Sequence, residues 1–133
     1  MKDRLAKLKR IEALQTRLQQ RADHELIRLQ RGLAEAEANR REVMAVLNDE
    51  WLAPIVVSFV SRRLKVIDGE IDQLNAAIET QKAIALREAM RLKRAERSTG
   101  AAREDVRAHE DRLALDEALE ASVLRAGASF PPA

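Results

Sequence analysis

Two apolar stripes, one on either side of Pro54, mirror each other residue for residue. Before the proline the stripe runs Leu8, Ile11, Gln15, Leu18, Ala22, Leu26, Leu29, Leu33, Ala36, Arg40, Val43 and Leu47. After it come Val57, Val60, Leu64, Ile67, Ile71, Leu74, Ile78, Gln81, Ala85, Glu88, Leu92 and Ala95. Steps of three and four keep such positions on one face of an α-helix, as in the seam of a coiled coil. Read backwards, the second stripe meets the first in layers whose residue numbers add to 103 or 104, from Leu47 with Val57 to Leu8 with Ala95. One antiparallel register therefore satisfies both helices. The fold class expected is all-α: two long helices forming an antiparallel coiled-coil hairpin, the second longer than the first.

Proline sets the boundaries. None precedes Pro54, and the next are Pro131 and Pro132, so two long segments can be helical without interruption. The spacing places helix 1 at about 3–49, a loop at about 50–54 and helix 2 at about 55–125. The hairpin is then a single domain over 1–126, and 127–133 reads as a disordered tail. Asn48 and Asp49 favour a helix end, and Pro54 suits the first turn of the next helix. Gly32, Gly69 and Gly100 lie inside the helices at about 1 kcal/mol each relative to alanine, and Ser98-Thr99-Gly100 is the expected weak point.

The first stripe takes two consecutive steps of four at Leu18, Ala22 and Leu26. That is a stutter, which relaxes a left-handed supercoil. Large apolar pairs such as Leu29 with Leu74 gather towards the loop. Polar or small ones such as Gln15 with Glu88 lie towards the termini, where burial stabilises less. The second stripe continues at Ala102, Val106, His109 and Leu113, past the expected cover of helix 1. Such an overhang is bare, folded back, or buried in a partner.

Composition agrees with long helices. The aromatic residues are Trp51, Phe59 and Phe130 alone, and there is no cysteine, so no disulfide framework. A cytoplasmic location fits; the charged segment Met1 to Arg10 is no signal peptide, and the longest apolar run, Trp51 to Val60, is about half a membrane span. No stable membrane insertion is expected. Charge is uneven: residues 1–31 carry nine bases and four acids, 82–107 eight and four, 32–81 five and nine, and 108–133 two and five. The register sets the two basic stretches side by side, opposite in the hairpin to an acidic loop end.

Catalytic readings fare poorly. His24-Glu25-Leu26-Ile27-Arg28 starts like a zinc-protease helix but has arginine where the second histidine belongs. His109 lies 85 residues away, too far in sequence to make a ligand cluster with it. Both read as solvated helix residues. No phosphate loop, nucleophile elbow or carboxylate pair is present, so no enzyme, metal or cofactor is expected. The basic helix Lys2-Arg4-Lys7-Lys9-Arg10 mixes with acids and lacks an aromatic platform, so nucleic acid is not the expected partner. Trp51 and Leu52 either pack over the helix ends at the turn or anchor a partner there.

The stretch Ala89-Met90-Arg91-Leu92-Lys93-Arg94-Ala95-Glu96-Arg97, followed by His109-Glu110-Asp111-Arg112-Leu113-Ala114-Leu115-Asp116-Glu117, is similar to the FliJ family. These are coiled-coil stalk proteins of the bacterial flagellar type III export apparatus, with virulence-secretion relatives of the YscO type. That family tends to carry Leu-Lys-x-x-x-Arg and then an acidic residue leading to Leu-Asp-Glu. Leu92, Lys93, Arg97, Glu110, Leu115, Asp116 and Glu117 are the matching positions, and length, two-helix layout and scarcity of aromatics match too. The resemblance implies a non-enzymatic stalk, like the central stalk of rotary ATPases, at the cytoplasmic side of the inner-membrane export apparatus. Its partners would be a hexameric export ATPase, whose assembly it promotes, an export gate protein, and in some members empty substrate chaperones. The expected ATPase-facing set is Leu5, Leu8, Arg10, Leu92, Lys93, Arg97, Val106 and Leu113, with Trp51 and Leu52 as loop-end contacts. A cytoplasmic secretion chaperone and a generic coiled-coil spacer or scaffold are the alternatives.

Overall fold

The computed structural model describes residues 1–48 and 53–128. The chain there is all-helical: α1 spans Lys2–Val46, α2 spans Pro54–Ala128, and the two pack against each other as a helical hairpin. At 45 and 75 residues, the second is the longer, as the stripes predict. No residue in the described segments has a positive φ except as glycine would allow, and no glycine uses it.

The helix ends follow from local chemistry. α1 stops three residues short of the expected 49. Leu47 N and Asn48 N donate to Met44 O and Ala45 O at 3.1 and 3.2 Å, short-range bonds that tighten the last turn and close it. α2 opens on Pro54, whose missing N–H is no loss at a first helical position. Ala53 O accepts from both Val56 N and Val57 N, at 2.9 and 3.2 Å, which starts the ladder. At the other end α2 runs to Ala128, past the expected end near 125 and into the expected tail. Trp51, Leu52, most of the expected loop and residues 129–133 lie outside the described residues.

The chain divides into two compact units, each holding a stretch of both helices. The first is Thr16–Arg91. Its seam buries Ala22, Ala36, Val60, Ile67 and Ile78, with Leu26, Leu29, Leu33, Leu64, Ile71 and Leu74 half-buried beside them. Ile67 is 0% exposed, the most enclosed large apolar side chain described. Polar seam positions are satisfied across the pair: Gln81 Nε2 donates to Ala22 O at 3.0 Å, and Arg40 Nε donates to Asp68 at 2.7 Å. Those contacts descend along α2 as they ascend along α1, so the packing is antiparallel. The expected outermost layer does not form, since Val57 is exposed while Val60 is buried and Leu47 half-buried, and further along the Thr99 hydroxyl lies against Leu8 O where the stripes set Ala95.

The second unit comprises Met1–Gln15 with Leu92–Ala133. Its buried residues are Thr99 and Ala102, with Leu5, Leu8, Leu92, Ala95 and Val106 half-buried. At the expected weak point, Ser98-Thr99-Gly100, α2 is unbroken, and Thr99 is 1% exposed. The Thr99 hydroxyl lies 2.9 Å from Ala95 O, to which it donates, and 3.4 Å from Leu8 O. Satisfying the hydroxyl within its own helix lets a threonine occupy a closed seam position. Cover by α1 also reaches further than expected. Ala102 is buried and Val106 half-buried, whereas His109 and Leu113 are exposed.

The expected stutter is absent. Ile11 is 45% exposed and Leu18 38%, while their neighbours Glu12 and Gln19 are half-buried. With Glu12 and Gln19 in the seam, α1 keeps alternating steps of three and four from Leu5 to Leu47 without a break. The regular period decides which positions face the other helix, and a long polar side chain can bury its stem while its head finds a partner. Glu12 does have one.

Candidate partner-binding surface

All eight residues of the expected ATPase-facing set fall in the unit Met1–Gln15 with Leu92–Ala133. The structure splits them into two kinds. Leu5, Leu8, Leu92 and Val106 are half-buried in the seam, so packing between α1 and α2 accounts for most of their apolar surface. Arg10, Lys93, Arg97 and Leu113 face solvent. Among the other motif positions, Glu110, Leu115, Asp116 and Glu117 are exposed as well. Glu110 forms an ion pair with Lys2 Nζ at 3.6 Å, which links α1 to the far part of α2.

Charge in this unit is sorted along α2. Residues 1–15 carry five bases and two acids, and 92–107 carry five bases and three acids. Residues 108–133 reverse the balance, with two bases and five acids. The sign change falls where cover by α1 ends. Every described residue from Arg107 to Gly127 is exposed, Leu113, Leu115, Leu119, Val123 and Leu124 included. A helix with that much apolar surface and no companion has the character of a binding element.

A second exposed apolar face was not singled out from sequence. Ile55 is 77% exposed and Phe59 68%, with Val66 on the same side of α2. The first turns of α2 are apolar on both sides, Val60 and Leu64 filling the seam and these three facing away. Helical spacing alone assigns such residues to either side, although apolarity all round a helix is itself a signal of a further contact.

Among the described residues no group of three or more His, Cys, Asp or Glu could hold a metal ion. In the unit Thr16–Arg91 an open groove lies along Leu18, Ala22, His24 and Gln81, and Glu25 on its wall receives a hydrogen bond from Arg28 Nε at 2.9 Å. That bond, with the charges of Arg28 and Arg21 behind it, holds the Glu25 carboxyl below its ordinary range and raises Arg28. The groove thus presents an ordinary surface ion pair. Among the described residues no helix is long and apolar enough to cross a membrane.

Comparison with family models, curated proteins and solved structures finds no match to the chain.

Proposed function

We propose that the chain is a non-enzymatic stalk of a bacterial type III protein export apparatus. It binds the hexameric export ATPase, promotes ring assembly and couples the ring to the export gate. The observation that carries this reading is the bare continuation of α2 beyond Val106, next to a basic paired stretch of both helices. A spacer or scaffold gains nothing from some twenty exposed helical residues that carry apolar side chains. The motif positions Leu92, Lys93, Arg97, Glu110, Leu115, Asp116 and Glu117 lie in this same stretch and support the reading. Ile55 and Phe59 offer a separate contact for the gate, and the protein would work at the inner membrane from the cytoplasmic side.

Reversing Arg10, Lys93 and Arg97 to glutamate tests it. Binding to the cognate export ATPase, and stimulation of that ATPase, should weaken while helix content by circular dichroism is unchanged, since exposed charges contribute little to folding. The difference between parent and variant should narrow at high salt, where screening removes the attraction. A triple variant that binds and stimulates like the parent makes these cations a solvated face, and the spacer reading takes over.

A further inference from the structure

Two faces in the unit Met1–Gln15 with Leu92–Ala133 are left without a companion in the chain. On the arm of α2, Leu115, Leu119 and Val123 repeat every four residues and so share one side of the helix, all exposed. Asp111, Asp116 and Glu120 border that side, with one base, Arg112, among them. On α1, the surface turned away from the seam exposes Ile11 and Leu14, bordered by Lys7 and Arg10. One face is apolar edged with acids, the other apolar edged with bases. The arm cannot reach the α1 face of its own chain, because α2 is a single unbroken helix from Pro54 to Ala128.

We propose that two copies of the chain pair about a two-fold axis, the arm of each lying along the Ile11–Leu14 face of the other. The register follows from contacts already present. Thr99 Oγ1 lies 3.4 Å from Leu8 O, so residues of the two helices whose numbers add to 107 are level, and the start of α1 is level with Val106. A two-fold axis at that level brings the start of the second copy's α1 to the same place. From there the arm and the second copy's α1 run in the same direction, with rise per residue equal in both. Leu119 then comes level with Leu14 of the second copy, while Leu115 and Asp116 come level with its Arg10 and Ile11, each within one residue of the other's partner. Leucine comes to leucine and isoleucine, and Asp111 and Asp116 come within a residue of Lys7 and Arg10, outweighing the one like-charged meeting, Arg112 with Lys7. The contact is isologous, so each match is made twice, and complementary charge favours this pairing over arm-to-arm association of two acidic helices.

The pairing shares Arg10 and the arm with the export reading, but Lys93 and Arg97 take no part in it. Lys93→Glu with Arg97→Glu should therefore weaken ATPase binding and leave the dimer intact, and each reading can fail without the other. The chain contains no cysteine, so introduced thiols report cleanly. Leu14→Cys and Leu119→Cys, purified separately and then mixed under mild oxidation, should cross-link about tenfold faster than Leu14→Cys mixed with Val66→Cys, because docking raises the local thiol concentration. By light scattering at about 50 μM, well above a micromolar Kd, the parent should show twice its 15.0 kDa chain mass. Asp116→Lys with Glu120→Lys in one variant, and Lys7→Glu with Arg10→Glu in another, should each be monomeric with helix content retained. Mixing the two should restore a dimer. A parent of single-chain mass at that concentration, a dimer that persists in both variants, or cross-linking without preference overturns the proposal.

Discussion

The stretch Thr16–Arg91 and the unit built from both ends of the chain use the same seam for different purposes. In the first, the enclosed side chains include Val60, Ile67 and Ile78. In the second they are Thr99 and Ala102. Burial stabilises in proportion to apolar area, about 25 cal/mol per Å², so an isoleucine layer contributes several times what an alanine layer does. The charges differ likewise: residues 16–91 balance, whereas the terminal unit carries the net +2 of the whole chain and separates its bases from its acids. A helix pair can be held by large side chains or kept available by small and polar ones, and this chain does both. The well-packed part supports structure; the lightly packed part presents surface.

The sharpest way to break that contrast is to cut one seam residue in each region. Ile67→Ala should cost about 3 kcal/mol, as large-to-small changes at enclosed sites do, and Leu92→Ala about 1 kcal/mol, its side chain being only half-buried. Urea denaturation measures both. Hydrogen exchange of the monomeric Asp116→Lys, Glu120→Lys variant should agree, with slow amides around Ile67 and Ile78 and fast ones through the arm. Equal losses in the two variants would mean that the regions are packed alike.

Much of this was legible in sequence because the two stripes constrain each other. The antiparallel sense and the longer second helix follow from stripes such as Leu29, Leu33, Ile71 and Leu74; the register does not, since they set Leu8 against Ala95, whereas the Thr99 hydroxyl lies against Leu8 O. What failed did so for physical reasons. Following apolar residues placed Ile11 and Leu18 in the seam, whereas the unbroken period puts Glu12 and Gln19 there. Thr99, in the expected weak point, closes the seam instead, because its hydroxyl finds Ala95 O inside the helix. Ile55 and Phe59 escaped notice because apolar residues surround that part of α2. Of the candidate surface, charge sorting and the overhang were visible. Which leucines the seam consumes was not, because that depends on how far cover by α1 reaches.

Glycine replacement sharpens the comparison at a smaller scale. A Cβ at Gly69 or at Gly100 meets nothing within 4 Å, and neither residue uses a positive φ. Gly69→Ala and Gly100→Ala should each raise stability by about 1 kcal/mol, one in each unit, read as a shift of the denaturation midpoint. A destabilised Gly100→Ala would show a close approach that the helix pair does not have in this structure.

The smallest effect concerns Glu25. Its carboxyl, lowered mainly by the hydrogen bond from Arg28, favours the folded state while it is ionised. That contribution is present above the ordinary carboxylate range and is lost as pH falls through the lowered folded-state value. A carbon-detected titration should find Glu25 below a typical glutamate, and Arg28→Gln should return it to the ordinary range. An unchanged titration in that variant would assign the shift to Arg21.

The arm of α2 also has a consequence for how order spreads. Nucleating a helix from coil is the unfavourable step, with a statistical weight of about 10⁻³, whereas each further residue adds at roughly even odds. The paired part of α2 supplies the nucleus, so the arm only has to elongate from it. Melting should therefore start at Ala128 and retreat turn by turn rather than in one cooperative step. Helical length past Val106 becomes a graded variable, set by temperature and by whatever lies against the arm.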